Sequence, residues 1–169
     1  PVKSGGNDQR IKITGVRKKI SEAMSRSKRT AAHFSYVEEV DITELFALRK
    51  ELKPLAAEQD AKLTYMPFII KATVATLKQF PNFNANIDDS SDELIIRGDI
   101  NLGIAADTEY GLVVPVLKNA DRLSMIEIAK EVQRLGSGAR NRKLQIDTTP
   151  PEPFAINVRA GTSQDSFPL

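Results

Sequence analysis

Cysteine and tryptophan are absent from this 169-residue chain, and histidine occurs once, at His33. Without thiols there is no disulfide, no thiolate nucleophile and no cysteine-held metal. One imidazole is too few for a histidine-rich metal centre, so no metal is expected. Long apolar runs are also missing: none approaches the ~20 residues that span a bilayer. No basic segment followed by an apolar stretch marks a secretory leader. A surplus of one charge is absent too, since 24 Lys and Arg offset 22 Asp and Glu for a net charge of +2. The basic groups lack interleaved aromatics, which argues against nucleic acid as a partner. What remains, 41% hydrophobic and 27% charged residues, is the composition of an ordinary globular domain long enough to bury a substantial core.

Pro1 to Gln9 has one large apolar residue among Pro, Lys, Ser, Gly, Asn and Asp, the composition of a linker. Residues 1–10 are therefore read as an inter-domain linker remnant, and the Pro-Val start as the sign of a fragment of a longer chain. From Gly15 the spacing of Val16, Ile20, Ala23 and Met24 predicts an amphipathic helix with Arg17, Lys18, Lys19 and Glu22 opposite. Phe34, Tyr36, Val40 and Ile42 then alternate, predicting a strand within Ala31 to Ile42 that Glu38 interrupts. Asp41 and Thr43 can cap the next helix, with stripe Leu45, Leu48, Leu52 and Leu55 and a late Pro54. A third helix follows Thr64, accepts Pro67 in its first turn and is apolar on most sides, so it is expected to lie buried between layers.

Pro81 stops that helix. Leu94 to Ile96 predicts a short strand, and Ile100, Leu102, Ile104 and Ala106 alternate as another. Thr108-Glu109-Tyr110-Gly111 predicts a turn into an apolar strand, Leu112 to Leu117, with Pro115 at an edge or bulge. Ser124-Met125-Ile126-Glu127 fits a capping box, and its helix is expected to end at Gly136-Ser137-Gly138. After Gln145 only Phe154 to Val158 resembles a strand. The pattern predicts an α+β or mixed α/β domain with a mainly antiparallel sheet.

Several phrases are more specific than this. Arg17-Lys18-Lys19-Ile20 with Met24 and Ser27, and then His33-Phe34-Ser35-Tyr36-Val37-Glu38-Glu39-Val40-Asp41, resemble the opening of the catalytic domain of 2-oxo-acid dehydrogenase acyltransferases. Leu63 to Phe68 with Lys71, Phe80 to Ala85, Asn101 to Ala105 with Asp107 to Pro115, and Ala139-Arg140 with Lys143-Leu144 are similar to later blocks of that family, in its order and spacing. The resemblance covers roughly residues 11 to 147. Residues 11–169 are accordingly read as one catalytic domain, divergent or truncated beyond about 147, where truncation, sequence error and a shifted reading frame all stay open.

The resemblance implies the two-layer α/β fold of chloramphenicol acetyltransferase, with a mainly antiparallel mixed sheet packed on helices. It implies trimers built into cubic or dodecahedral cores, and 2-oxo-acid decarboxylase and dihydrolipoamide dehydrogenase as partner components. Coenzyme A and a lipoyl-lysine arm are the implied substrates, the lipoate being carried on an upstream domain outside this chain. The implied compartment is a bacterial or archaeal cytoplasm, or a mitochondrial matrix. Acetyl, succinyl and branched-chain members share these blocks; Glu38-Glu39-Val40-Asp41 leans away from succinyl.

Acyl transfer between thiols needs a base to make the sulfur nucleophilic and a donor for the tetrahedral oxyanion. The family's base is the His of an H-x-x-x-D-G motif, which this sequence lacks. His33 has Val37 four positions on and sits in another block, so it is read as a partly buried strand residue bonded to a neighbour, not as the base. Phe154-Ala155-Ile156-Asn157 falls where the family's oxyanion strand is expected, which makes Asn157 either the oxyanion donor or an ordinary strand or loop residue. Tyr110, Gly111, Leu112, Val113, Val114 and Pro115 either line the implied coenzyme channel or form a core hairpin. Asn84, with Asn82 and Asn86, is either a polar channel group or a turn residue after Pro81. Arg17-Lys18-Lys19, Lys28-Arg29 and Arg140-Arg142-Lys143 either attract the coenzyme's phosphates or form solvated faces. A catalytically silent assembly piece is the competing reading of the whole chain.

Overall fold

The computed structural model describes residues 10–88, 90–109, 111–141 and 143 and the backbone of 155–156; the side chain of Val16 is not among them. The chain divides into two compact units at Asp41 and Ile42.

The first unit contains helix α1, Gly15–Thr30, entered through an extended Thr14 and left through an extended Ala31. Six basic side chains (Arg17, Lys18, Lys19, Arg26, Lys28, Arg29) stand against Glu22 alone, which pairs with Lys18 at 3.9 Å. Every described side chain of this unit is exposed, so the predicted apolar stripe of Ile20, Ala23 and Met24 faces solvent. The strand expected over 31–42 is absent: these residues pair with no other strand among the described residues. Alternation prepares a segment for a sheet, but a ladder forms only when a neighbour supplies donors and acceptors. Phe34 is 90% exposed as a result. Glu38, the exception to the alternation, accepts the Tyr36 hydroxyl at 2.5 Å, a bond that pushes the phenol above its ordinary pKa.

The second unit opens with α2, Thr43–Ala57, whose N-cap position falls on Ile42, between the two expected capping residues. The helix passes Pro54 and ends one turn later. Helix α3, Met66–Gln79, holds Pro67 at its start, where a missing N–H costs little. Its buried residues Ile70, Val74 and Leu77 recur at helical spacing, while Ala72, Ala75 and Lys78 are exposed. The helix is thus covered on one side rather than buried between layers: its second apolar face consists of alanines, which cost little to leave in water.

A short 3-10 turn, Pro81–Phe83, leads into β1, Ala85–Asp88, a strand hidden in the sequence by its asparagine and aspartate. It pairs antiparallel with β2, Glu93–Ile96, in the register Ala85–Ile96, Asn86–Ile95, Ile87–Leu94 and Asp88–Glu93. Strand β3, Leu102–Ile104, is buried throughout and lies between β4, Val116–Leu117, antiparallel, and β5, Ala155–Ile156, parallel. The strand expected over Leu112 to Leu117 contracts to β4, because Pro115 has no N–H to give the ladder; its carbonyl still accepts from Ile104.

Helix α4, Met125–Arg140, begins at the predicted capping box: the Ser124 hydroxyl accepts from Glu127 N at 3.2 Å, and the Ser124 N–H donates to Glu127 Oε2 at 2.7 Å. Gly136 and Gly138 do not end it. Leu135 and Ala139 are buried on either side of them, and that packing outweighs the ~1 kcal/mol cost of a helical glycine. The main core joins Ile70, Val74 and Leu77 of α3, Ile100, Leu102 and Ile104 along β3, Leu117 of β4, and Ile128 and Leu135 of α4. Each such aliphatic side chain contributes about 1.5–3 kcal/mol by leaving water. A second cluster packs Ala56, Ala61 and Leu63 against Ala129. The mixed, mainly antiparallel sheet on helices is the expected α/β architecture, divided here into two small sheets.

Candidate functional site

The segment around Gly111 is a hairpin held by a reciprocal pair of hydrogen bonds, Ala106 N to Val113 O at 2.8 Å and Val113 N to Ala106 O at 3.0 Å. Its turn closes as expected: Gly111 N donates to Thr108 O at 3.0 Å, and the Thr108 hydroxyl donates to Gly111 O at 2.7 Å. Gly111 has φ of +114°, a conformation that side-chain-bearing residues rarely adopt. Leu112 and Val114 are exposed, while Val113 and Pro115 are half-buried against β3. The segment therefore offers apolar side chains and backbone groups at a surface rather than filling the core. Tyr110 lies outside the described residues, as do Arg142 and Asn157. The expected strand at Phe154 to Val158 is represented by Ala155 and Ile156 alone, beside β3.

Asn84 is buried, and both of its amide hydrogens are used: Nδ2 donates to Arg97 O at 3.1 Å and to Asp99 O at 3.0 Å. The Arg97 N–H returns a bond to the Asn84 carbonyl at 2.8 Å. This asparagine fixes the exit of β2 toward β3. The next asparagine differs, because Asn86 Oδ1 is buried without a hydrogen-bond partner, as is Asp121 Oδ1.

Polar residues whose bonds the sequence pattern does not foretell brace the flanks of β3 and the entrances of the helices. Asn101 Oδ1 accepts from Asn119 N at 2.8 Å, and Asn119 sits at φ of +51°. Arg122 lies 3.7 Å from Asp99, an exposed pair of little energetic weight. Lys71 Nζ reaches across to Leu123 O at 2.5 Å, tying α3 to the entrance of α4. Arg49 stacks 4.6 Å over the Tyr65 ring while its Nε donates to Leu63 O. The cue for the turn residues was the Asn119-Ala120-Asp121 run after an apolar strand; Lys71 is marked only by its place after the Leu63 to Phe68 block, and Arg49 carries no comparable cue.

His33 is exposed and outside any strand, correcting its reading as a partly buried strand residue, although its expected bond to a neighbour is present. Nδ1 lies 2.8 Å from the Ala31 carbonyl. A carbonyl only accepts, so Nδ1 carries the proton in this bond. Among the described residues no group of three metal-ligating side chains is found, and no helix is long and apolar enough to cross a membrane.

The sequence pattern described as 2-oxoacid dehydrogenases acyltransferase (catalytic domain) matches residues 5–157. The chain is 51% identical over 137 residues to the dihydrolipoyllysine-residue acetyltransferase component of the pyruvate dehydrogenase complex of Bacillus subtilis, covering 81% of this chain and 31% of that protein. Among solved structures it is similar to the dihydrolipoamide acetyltransferase of Azotobacter vinelandii, in whose catalytic mechanism a serine, a histidine and an asparagine have been investigated. That likeness has a TM-score of 0.82 and 33% identity over 93% of this chain and 65% of the other. It is also similar to the cubic core of a pyruvate dehydrogenase multienzyme complex, with a TM-score of 0.83 and 33% identity over 93% of this chain and 65% of that one. The chain thus spans about a third of the length of the curated relative.

Proposed function

Because this chain belongs to the 2-oxoacid dehydrogenase acyltransferase family through its catalytic domain, we propose that it forms the front part of an acyl-transfer core. That core moves an acetyl group between dihydrolipoyl-lysine and coenzyme A. The observation that carries this reading is the match over residues 5–157, joined to 51% identity with an acetyltransferase of the pyruvate dehydrogenase complex. In this reading residues 11 to about 147 belong to one catalytic domain. Coenzyme A and a lipoyl-lysine arm are its substrates, the arm carried on a domain outside these residues.

The segment from Tyr110 to Pro115 then borders the coenzyme channel, its exposed Leu112 and Val114 presented to the ligand. Asn84 acts as a positioning residue, since its amide is spent on the backbone. Asn157, next after Ile156 in the sequence, supplies an oxyanion donor. The base that removes the thiol proton lies outside this sequence, which has no H-x-x-x-D-G. Copies assemble as trimers within a cubic or dodecahedral core that receives the decarboxylase and dihydrolipoamide dehydrogenase components; the likeness to a cubic core supports this. The bacterial relative supports a cytoplasmic setting.

Transfer of acetyl from acetyl-CoA to dihydrolipoamide, measured on the protein that carries these residues, tests the proposal; no transfer refutes it. The missing base motif favours a second reading, a catalytically silent assembly piece. Particles that sediment as trimers or larger and turn over nothing support that reading instead.

A further inference from the structure

The hairpin that carries Leu112 to Pro115 changes register once, at its root. From the turn downward the pairing is regular: Ala106 opposes Val113, Ile104 N donates to Pro115 O, Gly103 opposes Val116 and Leu102 opposes Leu117. In that register the next hydrogen-bonded pair is Ile100 with Asn119. Ile100 O instead accepts from Ala120 N at 2.8 Å, one residue later. Asn119 is thus the extra residue of a β-bulge, and its φ of +51° is a left-handed backbone that asparagine tolerates. The N–H withdrawn from the ladder finds another acceptor: Asn119 N donates to Asn101 Oδ1 at 2.8 Å.

Two features of the returning strand leave its register underdetermined. Leu112 to Leu117 is apolar at every position, so both faces suit a core and Lys118 alone resists a shift. At the root of the hairpin the long stem of Lys118 can still carry its ammonium to water. Pro115 favours the shift. Opposite Ile104 it occupies a hydrogen-bonded position and returns no N–H. With the root register carried to the tip it would oppose Ala105, where none is needed. Moving the extra residue from Asn119 into the turn makes that change, and a one-residue shift sends every side chain to the other face.

We infer that the Asn101 side chain, by holding the Asn119 N–H, pins the bulge at the root and so sets which apolar side chains the hairpin turns toward the coenzyme. Asn101 is then a positioning residue for acyl transfer. With the bulge in place Leu117 is fully buried, while Leu112 and Val114 are 52% and 44% exposed. With the bulge displaced, Leu112 and Val114 turn inward and Val113 turns outward. The positioning half of the inference rests on the proposed acetyl-transfer reading; the register lock rests on the hydrogen bonds alone.

The cysteine-free sequence allows the register to be trapped in the protein that carries these residues. Ala105→Cys with Val114→Cys reports the native register, in which the two positions oppose one another. Asp107→Cys with Val113→Cys reports the shifted one, since these positions lie on opposite faces in the native register and oppose one another only after the shift. Asn101→Leu keeps the side chain's size and removes the acceptor. It is expected to speed the Asp107–Val113 disulfide by about 5-fold, the factor for one net hydrogen bond, without speeding the Ala105–Val114 link. Asn101→Asp, which keeps an acceptor oxygen, leaves the shifted link slow, and Pro115→Val added to Asn101→Leu slows it again. Where Asn101→Leu does not fold, Asn101→Ala carries the same comparison.

In the active protein without added cysteines, Asn101→Leu is expected to raise the KM for coenzyme A by about 2-fold or more, with a smaller change in kcat, as the competent register loses share. A shifted link that is no faster in Asn101→Leu overturns the lock. Both links speeding equally does the same, because that is loosening rather than a shift. A faster shifted link with KM unchanged overturns the positioning role alone. A faster shifted link in a protein that transfers no acetyl group upholds the lock and overturns the acetyl-transfer reading.

Discussion

Asn84 donates its side-chain amide to the carbonyl of Asp99 at 3.0 Å, across fifteen positions of chain, and shares that amide with the carbonyl of Arg97. Replacing Asn84 by Ala leaves two carbonyls without donors at a buried site. The expected cost is about 2–3 kcal/mol in a urea unfolding curve. If the residue only positions the loop, the KM for coenzyme A in the active protein stays near its original value; a rise in KM with unchanged stability contradicts the positioning role.

Leu102 is fully buried at the start of β3, in the core to which both α3 and α4 contribute. Leu102→Ala is expected to cost about 2–5 kcal/mol, a large share of the 5–15 kcal/mol that holds a typical domain together. Thermal melting reads this directly, and a drop no larger than that of an exposed Leu48→Ala control counts against the described core.

Ser124→Ala removes one half of the capping box and is expected to cost about 1 kcal/mol. The other half is sensitive to acid. Glu127 is held below the ordinary carboxylate pKa by the Ser124 backbone N–H, then by the Ser124 hydroxyl, with the Lys71 charge adding to both. A carboxyl whose folded pKa is depressed stabilises the fold above its unfolded value, about 4.3 for Glu, and loses that contribution as pH falls through the folded value. Stability curves of the native chain and Glu127→Gln should therefore separate near neutrality and converge in acid. Parallel curves at every pH contradict the cap's role.

Gly111→Ala meets no atom within 4 Å of the added Cβ, yet forces an alanine to φ of +114°. The expected penalty is about 1–3 kcal/mol, backbone strain alone. Gly98→Ala, in equally open space without positive φ, should be nearly neutral, and equal losses at both positions reject the strain account.

His33→Ala is expected to leave acyl transfer by the active protein unchanged, because the imidazole is exposed and its Nδ1 proton is given to Ala31. A profile that loses its limb near neutral pH on this substitution identifies His33 as the base and overturns the assignment made above.

Helix positions were legible where one face had to be buried: Ile70, Val74 and Leu77 in α3, and Ile128 and Leu135 in α4, keep the spacing their packing demands. The capping box and the Thr108–Gly111 turn were legible because each depends on neighbours a few residues apart. The segment 31–42 misled because alternation describes one strand while a sheet needs two. Gly136 and Gly138 misled because Leu135 and Ala139 hold the helix together past them. Strand β1 escaped notice because its pairing is fixed by Leu94 to Ile96, not by its own composition. Of the site, the exposed Leu112–Val114 surface was legible as a segment; the role of Asn84 was not, since its partners Arg97 and Asp99 are distant in sequence.

The parallel pairing of Gly103 with Ala155 and Ile104 with Ile156 joins stretches separated by the whole of α4. Helices α3 and α4 and strands β3 and β4 fall within one run, 66 to 140, that carries every buried residue of the main core among the described residues. On the ribosome that run emerges before β5, and a nascent chain can close it before Ala155 is made. Strand β3 then waits with one side paired, and its second neighbour arrives only after α4 has been made, as a slow, non-local step of folding.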